Sequence, residues 1–150
     1  MKQSKVNESR NEIVILDECI ATQVIAELAT QKWDVATFTI NDLGFTKKKN
    51  GELKKALDDY FEGFDIHFFT GDAEKGKKEK DFTPTESRSV IRLSSKIMQS
   101  CNLERIKYLE KFFKKVKSSH GLLGKELIIT PNGVKKKFEN GHTKLIRYTS

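Results

Sequence analysis

The sequence predicts an α/β fold with a mainly parallel central sheet. Three short apolar runs, at 13–16, 35–40 and 66–69, have the length and composition of buried strands. The two segments between them, near 20–31 and 50–63, carry apolar residues at helical spacing. A β-α-β-α-β order is typical of parallel strands joined by crossover helices.

The first helical segment is amphipathic. Ile20, Val24, Ile25 and Leu28 follow an i, i+4, i+5, i+8 pattern, so we expect them to share one buried face. We expect this helix to end near Gln31.

The second helical segment has a stronger pattern. Asn50 is a plausible N-cap residue, and the helix should stop around Gly63 because glycine favours helix ends. Its apolar residues recur at i, i+3, i+4, i+7 and i+8: Leu53, Ala56, Leu57, Tyr60 and Phe61.

The second half of the chain completes the predicted domain. A charged stretch at 73–87 predicts a mobile loop, and "SVIRL" at 89–93 predicts a strand. A third helix is expected to carry its lysines on the face opposite its apolar residues, which are Leu103, Ile106, Leu109, Phe112, Phe113 and Val116.

Pro131-Asn132-Gly133 predicts a hairpin, with a two-residue or a longer loop, and 142–149 predicts a last strand. Residues 1–11 are expected to form a flexible tail and 12–150 a single domain.

Composition excludes several classes of protein. The apolar runs are far shorter than a membrane span, and the polar N-terminus lacks the apolar region of a signal peptide, so we expect a cytoplasmic protein without membrane contact. Cys19 and Cys101 lie far apart, outside any zinc-binding spacing, and are expected to be buried thiols.

The charge distribution permits a polyanionic partner. The chain has 28 Lys and Arg against 21 Asp and Glu, a net charge of +7. The basic residues cluster in "TKKKNGELKK", "EKGKKEK", "KYLEKFFKKVK" and "VKKKF". Together these runs could form a basic surface for a polyanion, although each alone is compatible with a solvated face.

Acidic residues follow the predicted strands. Asp17, Asp42 and Asp72 come at or just after the ends of the three apolar runs, and the carboxyl ends of parallel strands meet at one edge of a sheet. Glu18 adjoins Asp17, and Glu52 lies near the start of a helix that begins at the same edge. Asp81 follows the predicted loop. Each acid could instead cap a helix or a turn.

A group of carboxylates at one edge predicts a divalent cation site. Close carboxylates repel one another, and Mg²⁺ or Mn²⁺ relieves this repulsion while orienting water and phosphate oxygens for hydrolysis. Thr70 could position a water or hydrogen-bond a carboxylate. His67, in the middle of a predicted strand, is expected to be a packed residue.

In order along residues 13–138, several motifs resemble the short PIN-like proteins of prokaryotes. They are "ILDECI", "WDVATFTINDLGF", "NGELKKAL", "HFFTGD", "KDF", "SVIRLS" and "LIITPNGVKKKF". The resemblance implies a three-layer α/β/α PIN-like fold. By kinship with PIN ribonucleases such as VapC-type toxins, it also implies an endoribonuclease that uses Mg²⁺ or Mn²⁺ and that could be the toxin of a toxin–antitoxin pair.

The resemblance also assigns roles to individual residues. Asp17, Asp72 and Glu52 would form the catalytic core, with Asp17, Asp72, Asp81 and Glu18 as metal ligands. Arg92 matches the Arg after the next strand and is expected to bind substrate, together with Thr70 and with Lys77, Lys78 and Lys80 of the segment inserted before Asp81. The partners would be RNA, an antitoxin protein and a second copy of the chain.

Two alternatives remain open at this point. Cys19 stands where the family has Asn, the helix-start Asp has no clean counterpart, which leaves Glu52 or Asn50 as candidates, and "AEKGKKEK" is inserted before Asp81. These differences favour a non-catalytic PIN-like module that binds RNA or a protein. A receiver-like signalling domain also carries acids after its first and third strands, but the segment after residue 89 does not follow the regular β/α alternation of that class.

Overall fold

The structure is a computed structural model, and it describes residues 11–17, 23–46, 48, 50–71, 83–138, 140 and 142–148. These residues form seven strands and four helices. The strands are β1 (Glu12–Leu16), β2 (Ala36–Thr39), β3 (Asp65–Thr70), β4 (Arg88–Leu93), β5 (Glu126–Thr130), β6 (Gly133–Lys137) and β7 (Thr143–Arg147). The helices are α1 (Gln23–Trp33), α2 (Asn50–Tyr60), α3 (Ser95–Met98) and α4 (Asn102–Lys115).

All seven strands belong to one mixed sheet in the order β2-β1-β3-β4-β5-β6-β7. The five strands from β2 to β5 run parallel, and β6 and β7 are antiparallel additions. Leu16 is in register with Thr39 on one side and with Phe69 on the other, so these strands end at the same level. The predicted parallel β-α-β-α-β order is confirmed. The antiparallel hairpin after β5 breaks the regular alternation of strands and helices that a receiver-like domain has, as the sequence indicated.

Helices cover both faces of the sheet. Because strand side chains alternate between faces, Val14 and Leu16 belong to one core and Ile13 and Ile15 to another. The first core packs α1 and α4 against the sheet, and the second packs α2 against β1 and β3. The molecule is therefore an α/β protein with a mainly parallel sheet, compatible with a three-layer arrangement.

Trp33 joins the elements of the larger core. Its ring contacts Phe69 of β3 and Phe112 and Phe113 of α4, with centroids 5.0–5.9 Å apart. Its indole N–H donates to the Val116 carbonyl at 2.8 Å. Because Trp33 packs in this way, α1 extends two residues beyond the predicted end at Gln31.

The predicted buried faces of three helices were partly wrong. Val24 is 53% exposed, since the face of α1 that meets the sheet and α4 consists of Ile25, Ala26, Ala29 and Trp33. Leu103, in the first turn of α4, is 74% exposed. Of the predicted apolar residues in and after α2, Leu53, Leu57 and Phe61 are buried, whereas Tyr60 is 65% exposed.

A two-residue loop joins β5 to β6, which confirms the hairpin and selects the shorter alternative. Pro131 and Asn132 form the loop, and Thr130 pairs with Gly133 across it. The Thr130 hydroxyl oxygen accepts hydrogen bonds from the backbone N–H groups of Asn132 and Gly133, at 3.2 and 3.1 Å. This side chain therefore fixes the turn.

Two expectations from composition can be compared with the described residues. Cys101 is exposed, contrary to the predicted burial, because it occupies the N-cap position of α4; Cys19 lies outside the described ranges. Among the helices described, none has the length and apolar character needed to cross a bilayer.

Candidate functional site

Asp17 lies at the carboxyl edge of the sheet, directly after β1. Its backbone N–H donates to the Phe69 carbonyl at 2.8 Å, and its Oδ2 accepts a 2.7 Å hydrogen bond from the Thr70 hydroxyl. The chain moves from β1 to β2 on one side of the sheet and returns to β3 on the other. In doubly wound sheets, ligands bind in the crevice that this change of direction creates. Asp17 therefore occupies the position in the fold where a ligand site is expected.

Thr70 holds the Asp17 carboxylate in a fixed orientation. Thr70 is the last residue of β3 and only 2% exposed, so its hydroxyl is packed beside β1. Of the two predicted roles for Thr70, the hydrogen bond to a carboxylate is observed. Carboxylates that bind metals are themselves usually hydrogen-bonded, and this bond gives Asp17 such a support.

Gly71 brings α3 close to the same edge. A Cβ atom at Gly71 would lie 2.5 Å from Met98 Sδ, which is too close for an ordinary contact. The end of β3 therefore packs directly beneath α3, and only glycine fits without displacing Met98.

Asp42 and Glu52 lie beyond the end of β2 but differ in setting. The Asp42 Oδ2 accepts from the Thr39 backbone N–H at 3.1 Å, and the Asp42 N–H donates to the Thr39 hydroxyl at 2.9 Å. This reciprocal pair makes Asp42 a turn-capping residue, one of the two alternatives considered for it. Glu52 is exposed in the first turn of α2, which begins on the Asp17 side of the sheet.

Arg92 lies inside the sheet rather than on its surface. It is 2% exposed, and its Nε donates to Glu126 Oε2 on β5 at 2.7 Å. Lys137 Nζ lies 3.7 Å from the same oxygen. The observed contact of Arg92 is therefore an ion pair between neighbouring strands, and its predicted contact with substrate stays a prediction.

The other predicted site residues lie outside the described ranges: Glu18, Asp72, Lys77, Lys78, Lys80 and Asp81. Within those ranges, no three side chains of His, Cys, Asp or Glu are grouped as metal ligands. Asp17 is thus the one described member of the predicted metal-ligand set, and the metal site stays a prediction.

A polar cluster at the opposite, amino edge of the sheet was not foreseen. His67 Nε2 lies 2.9 Å from Glu12 Oε1, and His67 Nδ1 lies 2.6 Å from the Ser89 hydroxyl. The Ser119 hydroxyl donates to Glu12 Oε1 at 2.5 Å, and His120 Nδ1 lies 3.2 Å from Glu12 Oε2. Since a carboxylate only accepts hydrogen bonds, Nε2 of His67 carries hydrogen and Nδ1 accepts from Ser89.

Burial determines the ionisation of this cluster. It lowers the pKa of His67 below its ordinary value of 6.5, although the hydrogen bond to Glu12 opposes the change. Burial would raise the pKa of Glu12, but the hydrogen bonds from Ser119 and His67 and the nearby histidines lower it overall. A neutral His67 with both nitrogens bonded joins three strands and the segment after α4. This supports the packed role predicted for it.

A basic groove lies between α1 and α4. It has a volume of about 430 Å³, and its lining contains four lysines and one glutamate: Lys32, Lys107, Glu110, Lys111 and Lys114. The three lysines of α4 are spaced i, i+4 and i+7, so they follow one stripe of the helix, as the sequence predicted. The groove provides a positively charged surface remote from Asp17.

Comparisons with protein-family models, with curated proteins and with solved structures find no match to this chain. The resemblance to PIN-like proteins therefore stays a prediction.

Proposed function

We propose that this chain is a metal-dependent endoribonuclease of the PIN-like class, with Asp17 at its centre. One observation carries the proposal: the Asp17 carboxylate is held by the Thr70 hydroxyl, at 2.7 Å, where β1 and β3 end side by side. Ligands of doubly wound sheets bind at such positions.

The chemistry of Asp17 fits a hard divalent cation. Mg²⁺ and Mn²⁺ take carboxylate oxygens as ligands and keep several waters. Asp17 would hold the ion together with Asp72, Asp81 and Glu18, and Glu52 would complete the catalytic set. When bound, the ion would stabilise charge on a phosphodiester and activate water. The contribution of Thr70 is to keep the carboxylate of Asp17 in one orientation.

The positive charge of the molecule supports an RNA substrate. A net charge of +7 and a lysine-lined groove favour a polyanion, because each phosphate that a lysine contacts releases a counterion. In the active enzyme, Lys77, Lys78 and Lys80 would bind the substrate as well. If the chain is a toxin, an acidic antitoxin protein would bind the same charged surface. A second copy of the chain is the third proposed partner.

The second candidate is a PIN-like module that binds RNA or a protein without cleaving RNA. The groove between α1 and α4 favours it, because this surface can bind a polyanion without any carboxylate or metal. The two candidates differ in one measurable property, which is the binding of a divalent cation.

Calorimetric titration with Mn²⁺ tests the proposal. We expect wild-type protein to bind Mn²⁺ and both Asp17→Asn and Asp72→Asn to lose binding, because each removes a charged ligand of nearly unchanged size. Asp59→Asn is the matched control, since Asp59 is an exposed acid paired with Lys55 on α2. Wild-type protein that binds no Mn²⁺, or an Asp17→Asn variant that binds as wild type does, would overturn the nuclease proposal.

A further inference from the structure

A second cleft lies on the carboxyl side of the sheet, where β4 and β5 end. Its volume is about 370 Å³, and α3 forms one wall and the β5–β6 turn another. The lining residues are Ser94, Ser95, Lys96, Gln99, Ile128, Thr130, Pro131 and Lys135. Ser94 follows β4 directly and Thr130 ends β5, so the cleft is built at the same edge as Asp17.

The lining of this cleft suits an anion. Lys96 and Lys135 contribute two positive charges, and the described lining includes no Asp or Glu. Neither lysine forms an ion pair with another described residue, whereas the neighbouring Lys137 lies 3.7 Å from Glu126. Two positive charges along one cleft attract an anion.

Ser94 adds a hydrogen-bond donor deep in the cleft. The residue is only 6% exposed, and its Oγ accepts from the Ile97 backbone N–H at 3.4 Å. The same hydroxyl carries a hydrogen, which it can donate to a ligand oxygen in the cleft.

The cleft and Asp17 lie at the same edge of the sheet, with the end of β3 between them. Thr70 holds Asp17, Gly71 follows Thr70, and Gly71 packs against Met98 at the end of α3. From β1 to the ends of β4 and β5 the separation is two to three inter-strand spacings, about 10–15 Å. A group bound in the cleft is therefore separate from one bound at Asp17.

We propose that this cleft binds a phosphate group of the nucleic-acid strand whose scissile phosphate lies at Asp17. The binding of a phosphate follows from the lining, and its assignment to an RNA substrate rests on the proposed function. Lys96 and Lys135 are the side chains that bind the phosphate, Ser94 donates a hydrogen bond, and the cleft positions the strand without taking part in the chemistry.

The test measures RNA binding without divalent metal. A fluorescent single-stranded RNA of twelve uridines is titrated in EDTA, and anisotropy gives Kd at several salt concentrations. The double variant Lys96→Gln/Lys135→Gln should bind about tenfold more weakly at 0.1 M salt, with a salt slope smaller by about 0.7 for each phosphate that the variant no longer neutralises. The control Lys54→Gln/Lys55→Gln removes two lysines that pair with Asp58 and Asp59, so it should change Kd less than about twofold.

Cleavage kinetics separate the two proposals. If the variant shows a raised KM with unchanged kcat, the cleft positions substrate in an active nuclease. If the wild-type protein neither binds Mn²⁺ nor cleaves RNA, and the variant still binds RNA more weakly than wild type, the nuclease proposal is overturned and the cleft proposal stands. If Asp17-dependent cleavage persists while the variant keeps wild-type Kd, salt slope and KM, the cleft proposal fails and the nuclease stands. Wild-type protein that binds no RNA overturns both.

Discussion

Thr70 and Asp17 show how one hydrogen bond can prepare a strand end for function. The Thr70 hydroxyl is almost fully buried and donates to a carboxylate at 2.7 Å. Hydrogen bonds to charged groups contribute about 1.5–3 kcal/mol to stability. The bond therefore stabilises the fold and restricts the acid at the same time.

Replacing Thr70 tests this bond. Thr70→Val keeps the size of the side chain but removes the donor, so we expect the free energy of unfolding to fall by about 1–3 kcal/mol. Thr70→Ser keeps the hydroxyl and should lose less. Urea denaturation measures both variants, and equal stability of wild type and Thr70→Val would show that the hydrogen bond contributes nothing.

The burial of His67 predicts that the free energy of unfolding falls in mild acid. Burial holds its pKa below 6.5, so the unfolded chain binds a proton there before the folded chain does. The free energy of unfolding should therefore fall as the pH drops below 6.5, and Glu12, whose pKa lies below 4.5, should add to the loss below that pH.

The measurement is urea denaturation between pH 8 and pH 5. His67→Gln cannot titrate, so its stability, although lower throughout, should depend less on pH between 6.5 and 5. A wild-type stability that is constant or increases toward pH 5 would contradict the assignment of a neutral, buried His67.

At the scale of elements, strand positions were predictable and polar partners were not. β1, β3 and β4 each contain an apolar run, so the burial of the apolar residues in these strands follows from sequence. His67 bonds Glu12 of β1 and Ser89 of β4, and Glu12 in turn accepts from Ser119 after α4, 107 positions away along the chain. Only the fold brings them together. Val24 was misplaced because helical spacing alone does not show that α1 must contact α4 as well as the sheet.

The same limit applies to the candidate site. The end of β1 predicted the place of Asp17, and the hydrogen bond from Thr70 was one of two alternatives. The burial of Arg92 could not be predicted, because it depends on Glu126 lying on the neighbouring strand. The cleft of Lys96 and Lys135 was missed because neither lysine is marked by the sequence. Lys96 lies outside the four charged runs, and Lys135 is the first lysine of one of them.

The β6–β7 pair depends on a glycine. A Cβ atom at Gly133 would collide with the backbone carbonyl of Ile146 on β7. We expect Gly133→Ala to lower the free energy of unfolding by about 1–3 kcal/mol, because the two strands must move apart.

Gly51→Ala is the matched control for this strand contact. No atom lies within 4 Å of a Cβ at Gly51, and the residue lies in α2, where alanine is favoured by about 0.5–1 kcal/mol. Urea denaturation should therefore give opposite signs for the two variants. A Gly133→Ala protein as stable as wild type would show that β7 is held loosely.

At the scale of the whole molecule, the part of the chain that the structure describes has two separate lysine-lined surfaces. The groove between α1 and α4 lies on a helical layer, while the cleft of Lys96 and Lys135 lies at the carboxyl edge. A nuclease that threads RNA past Asp17 needs the edge, and a binding module can use the groove alone.

Charge reversal in the groove distinguishes these modes. If RNA follows the edge, Lys111→Glu/Lys114→Glu should weaken binding only through long-range charge, and the loss should fade above about 0.15 M salt, where screening acts within about 8 Å. Anisotropy titrations in low and high salt measure this difference. A large loss that persists in high salt would place the RNA in the groove and favour the non-catalytic module.

The most direct measurement of the central claim is RNA cleavage by purified protein with Mg²⁺ or Mn²⁺. A mixture of single-stranded RNAs is incubated with wild type, Asp17→Asn and Asp59→Asn after denaturation curves show that all three are folded. We predict metal-dependent cleavage by wild type and Asp59→Asn, and a loss of at least about 100-fold in Asp17→Asn, in the range expected when a charge-stabilising group is removed. Equal cleavage by Asp17→Asn, or cleavage that persists in EDTA, would contradict a metal-dependent site at Asp17.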